Sequence, residues 1–186
     1  MESEKLIDDL IQQTQSNLRK VEGFKQLNET VLNHKTSPTS WSVLECVEHL
    51  NRYGDFYLPE IQRRINASTH PNTETFKSSW LGNYFAKSML PKEKLNKMKT
   101  FKSMDPAGSD LNKNVLNRFI AQQNTLLDLL EAARKVSLTK TKTGISITPW
   151  LKLRLGDTFR VVIYHNLRHV LQAEKAKENA IEPAQT

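Results

Sequence analysis

Between Glu4 and about Phe24 the apolar residues Leu6, Ile7, Leu10, Ile11, Leu18 and Val21 recur three and four positions apart, which aligns them on one stripe of a first helix. The segment NHKTSPTS then breaks the pattern with Pro38 and small polar residues, and reads as a linker. In SWSVLECVEHL, Ser42 precedes Glu45 by three positions, the spacing at which side chains and backbone cap one another at a helix start. Val43, Leu44, Val47, Leu50, Tyr57, Ile61 and Ile65 carry that second helix to about Asn66, with a bend expected near Pro59. Residues 67–110 are polar and Pro-containing, yet SSWLGNYFAKSML has enough aromatic and aliphatic residues for one short helix inside a long connection. From Leu111 to about Val136 a third amphipathic helix is marked by Val115, Leu116, Phe119, Ile120, Leu126, Leu127, Leu130 and Ala133. SLTKTKTGISITPW is a second irregular connection with the means to pair briefly as strands. A fourth helix begins at Gly156 and Asp157 and runs to about Glu178, followed by a frayed tail over 179–186.

Four long amphipathic helices without a long strand run predict an all-α protein, a four-helix bundle forming one domain over 1–186. The connection between the second and third helices, roughly 45 residues, far exceeds the few residues typical of bundles and suggests a crossover or a cover over a site.

Composition narrows the function classes. Apolar residues at 38% and charged residues at 25% describe a soluble globular chain, and no window approaches the apolar length of a membrane span. The N-terminus lacks the basic start and apolar run of a secretory signal, so the cytoplasm is the default compartment. The single Cys46 forms no internal disulfide and builds no thiolate-rich metal site. A net charge of +7 arises from 27 Lys and Arg against 20 Asp and Glu, with the excess concentrated over Lys87–Lys102 and Arg134–Arg160. Without interleaved aromatics or a binding motif, a solvated basic face outweighs a nucleic-acid surface.

Candidate chemistry lies in VVIYHNLRHVLQAEK. His165 and His169 stand four apart, one helical turn, so their imidazoles can approach one ion. The spacing permits a chelate and, since such pairs also arise by chance, does not demonstrate one. Val162, His165, His169 and Gln172 share a stripe whose apolar member points it inward, where neutral imidazoles need partners for every nitrogen. His49, among Val43, Val47 and Leu50, is the third candidate, provided that the second and fourth helices are neighbours. Glu45 either orients a ligand or bound water or serves its capping box; Gln172 either reaches the outer shell of the site or faces solvent. Cys46 reads as core, and His34 and His70 fall in or beside polar linkers.

SWSVLECVEHL near the start and LGDTFRVVIYHNLRHVLQAEK near the end, in that order and spacing, resemble the DinB-like, or YfiT-like, superfamily, whose patterns read approximately W-S-x-x-E-x-x-x-H-L and H-x-x-x-H-x-x-Q. The resemblance implies a four-helix bundle holding a divalent metal, nickel or zinc in relatives, on His49, His165 and His169. Three imidazoles leave a coordination position open, as in catalytic sites. Relatives in the superfamily include thiol-dependent S-transferases and an isomerase, so the resemblance implies a small-molecule enzyme using a low-molecular-weight thiol. Hydrolysis of a small molecule is the alternative, and a stress-related or DNA-associated binding protein a third. Many relatives pair as homodimers. Arg52, Arg160 and Arg168 are candidates to pair with a cofactor carboxylate.

Overall fold

The computed structural model describes residues 1–91 and 100–181. The four expected long helices are α1 (Ser3–Phe24), α3 (Val43–Asn66), α5 (Asn114–Ala133) and α6 (Leu155–Ile181), with two shorter ones, α2 (Glu29–Asn33) and α4 (Trp80–Met89), between them. α2, five residues long, is too short for a periodic signal; Asn28 caps it by accepting a bond from Val31 N. At the start of α3 both halves of the capping box form: Ser42 Oγ accepts from Glu45 N, and Glu45 Oε2 from Ser42 N. α3 then runs as one helix through Gly54 and Pro59. Gly54 leaves room there for the Gln122 side chain of α5, whose Oε1 a Cβ would meet at 2.1 Å.

The chain is mostly helical rather than all-α. Strands β1 (Lys142–Ile145) and β2 (Thr148–Arg154) pair antiparallel, Thr143 opposite Leu153, with a register shift at Gly144/Ile145. β2 passes directly into α6, which continues beyond Glu178 to Ile181. Of the expected frayed tail, 182–186 lie outside the described residues, as do the lysines at 92, 94, 97 and 99. The long connection contributes α4 and a 3-10 turn at Lys102–Met104.

α1 and α3 each pack against both α5 and α6. Leu6, Ile61, Leu130 and Phe159 belong to one apolar cluster, and Val21, Val47, Phe119 and Val170 to another. Burying such side chains stabilises the fold by about 1.5–3 kcal/mol each. The long helices also bury polar residues: Thr14, Asn17, Asn51, Gln123 and Asn166, together with His49. α4 packs on α6 and β2, so the hairpin and α4 close one side of the long helices.

Candidate metal centre

His49 is placed by α3 and His165 and His169 by successive turns of α6, two helices in direct contact. Each ring offers a nitrogen, and the three nitrogens lie within 4.8 Å of one another. His49 Nε2 and His165 Nε2 are 3.2 Å apart, close to the roughly 3.3 Å between two nitrogens of a tetrahedral zinc. Val162, on the same stripe of α6, is 6% exposed, and the half-buried His165, His169 and Gln172 continue the stripe along the wall of a cavity.

Burial holds all three imidazoles neutral. It pushes His49 down to about 4 and His169 to about 3 from an ordinary 6.5. His165 falls well below 6.5, through burial first and then the two neighbouring rings. Their outer partners determine which nitrogens carry protons. His49 Nδ1 donates to the Met104 carbonyl at 2.7 Å and His169 Nδ1 to Gln172 Oε1 at 2.9 Å, which leaves both Nε2 atoms as lone pairs. His165 has one N–H and can satisfy only one of those lone pairs. The donor set therefore suits a divalent cation: neutral imidazoles, oriented from behind, with converging lone pairs.

Aromatic rings wall the cluster. Trp41 lies 4.7 Å from the His49 ring and 5.7 Å from His169, and Tyr53 packs edge-on against His49 and His165. A cavity of about 740 Å³ opens onto the three histidines, within the range of small-molecule sites.

The other sequence candidates separate. Gln172 touches a ligand directly, as described. Glu45 does not: its oxygens accept from Ser42 N and from Lys35 Nζ at 3.0 Å, completing the cap and an ion pair. Cys46 is fully buried in an apolar cluster, which raises its thiol pKa and makes it neither ligand nor nucleophile. His70 is exposed, and His34, also exposed, borders the cavity mouth. Arg52 is committed elsewhere. It donates to Glu48, to the Asp105 carbonyl at 2.6 Å and to Ser109 Oγ, fastening the loop whose Met104 carbonyl holds His49. Arg160 is likewise engaged with Asp157, Ser78 and Asn83. Arg168, itself buried, is among the residues that line the cavity. Sequence reasoning missed the Met104 carbonyl and the Arg52 clasp, because a backbone acceptor in a polar loop has no residue-type signature.

Among the described residues no helix is long and apolar enough to cross a membrane. A family model described as the DinB superfamily matches residues 10–173, spanning α1 to α6 and including all three histidines. No curated protein and no solved structure matches the chain.

Proposed function

The chain belongs to the DinB superfamily, and from that premise we propose that it is a metal-dependent enzyme acting on a small molecule, its four long helices forming a four-helix bundle. The observation that carries this is the convergence of three neutral imidazoles, two with their lone pairs turned inward by Met104 and Gln172, at the wall of a cavity. His49, His165 and His169 hold a divalent ion, nickel or zinc. Such an ion supplies Lewis acidity that makes a thiol or a water nucleophilic near neutral pH.

The resemblance favours a low-molecular-weight thiol over water. In that transfer the thiol sulfur forms the new bond to carbon, the leaving group departs with its electron pair, and the thiol proton passes to solvent. The chain's own contribution is positional: Gln172 and the loop fastened by Arg52 hold the imidazole tautomers, and Trp41 and Tyr53 fix the ring planes. Elemental analysis of untagged protein against the variant with all three histidines changed to alanine tests the site. One metal per parent chain and none in the variant is expected; equal content defeats the assignment. A screen of thiols with uncharged electrophiles on the loaded protein then separates transfer from hydrolysis.

A further inference from the structure

α3 and α6 run antiparallel past the site: Trp41, just before α3, and His49 meet His169, while Tyr53 meets His165. The cavity therefore has two sides with the histidines between them. Toward the start of α3 it is bordered by Thr36, Ser37, Thr39 and Ser40 and, along α6, by Gln172 and Lys175. In the opposite direction it is bordered by Tyr57 and Leu58 of α3, Val161 and Val162 of α6, Phe85 and Met89 of α4, and Ile145 and Leu153 of the hairpin.

None of the residues named on this second side is ionised; of the ionisable residues that line the cavity, Lys175 is on the first side, and Asp105 and Arg168 stand beside the histidines, acting on His49 and on His165 and His169 respectively. Burial raises the pKa of Tyr57, so its phenol stays neutral. Most of the polar groups there already have protein partners: Tyr57 Oη sits 3.3 Å from Ser146 Oγ, Gln122 Nε2 donates to the Asn51 carbonyl and Asp55, and Asn166 Nδ2 donates to Gln123, whereas the buried Gln122 Oε1 accepts no bond. A charged ligand there would shed its hydration and meet no counter-charge among those residues. An apolar one gains by taking its surface out of water.

We propose that this apolar lobe, walled by α4 and the β-hairpin, is the binding site for the uncharged, apolar body of the substrate. The hydroxyl-lined side is left to water or a polar thiol. The lobe gives the enzyme reading its substrate class, and rests on that reading for the reaction but not for binding.

The test is therefore a binding experiment on metal-free and zinc-loaded protein, with the uncharged dye N-phenyl-1-naphthylamine followed by fluorescence. Saturable binding of one dye per chain is expected in both states. Met89→Lys and Phe85→Lys place a charge in the lobe from a half-buried helix face and should each weaken the dye at least 10-fold at unchanged helical circular dichroism. Met89→Leu should bind like the parent. Absence of saturable binding by the parent, or undiminished binding by both lysine variants, overturns the lobe assignment. Failure of the parent to take up zinc while the dye still binds overturns the metal reading and leaves the lobe standing.

Discussion

Two polar clusters lie along α6, and they solve the same problem in opposite ways. At the first turn of α6, Asp157 is fully buried, yet its carboxylate accepts from Ser78 Oγ, Ser79 N, Ser79 Oγ and Arg160. Arg160 in turn donates to Asn83 and Ser78, with only its Nε left unmet. The anion and the cation complete one another, and the result fastens α4 to α6. Gly82 exists for this purpose, since a Cβ there would stand 2.1 Å from the Asp157 carboxylate. Two turns along the helix, the three histidines do not complete one another: the outer nitrogens of His49 and His169 are bonded, and His165 has one N–H for the two lone pairs this leaves. A closed network fastens elements together, whereas one with a surplus of acceptors is compatible with a cation.

The largest expected effect breaks the histidine side of that comparison. His165→Ala should reduce bound metal from one per chain to background, read by elemental analysis after dialysis. His165→Leu, measured metal-free by urea denaturation, should be at least as stable as the metal-free parent, because an unfilled cluster costs stability. A large loss of metal-free stability would make the histidines structural.

Breaking the other side should do the reverse. Asp157→Ala leaves Arg160 buried without its anion and should cost about 3–5 kcal/mol in urea denaturation. Metal content per folded chain should stay at the parent value, since none of the ligands touches Asp157.

Acid sharpens the contrast further. The folded imidazoles bind protons more weakly than the ordinary 6.5, with His49 near 4 and His169 near 3, so below about pH 6.5 the unfolded chain takes up protons that the folded chain refuses. Stability is thus fully present above about pH 6.5 and lost as pH falls toward 4 and below. The slope is about 1.4 kcal/mol per pH unit for each such proton. Metal-free parent measured from pH 7 to 4.5 should show this slope, and the triple alanine variant a shallower one.

The smallest effects concern support from behind. Arg52→Ala frees the Asp105–Ser109 loop and Gln172→Leu removes the acceptor on His169. Each should weaken metal affinity about 10-fold, with full loading still reached at saturation. Competition titration against a chromophoric chelator reads this directly, and unchanged affinity in both would mean that the tautomers are held by something else.

Much of this molecule was legible as spacing along the chain. The apolar recurrence over Leu6–Val21, the Ser42/Glu45 capping box and the His165/His169 pair concern residues one turn apart, whose proximity a helix guarantees wherever it packs. The nearness of His49 was legible only through the resemblance, since the pairing of α3 with α6 depends on their whole apolar faces. Arg52 and Arg160, which composition offers as ligand-binding cations, are consumed by Glu48, Asp105 and Asp157. By itself, then, the sequence determined the four long helices, the capping box of α3 and two histidines on one stripe, because those follow from near-neighbour geometry. Tertiary structure decided which nitrogen of each imidazole keeps its lone pair and on which side of the cluster the apolar lobe lies. Both depend on what packs behind and beside a ring, and a Met104 carbonyl 55 residues away does that without depending on its own side chain.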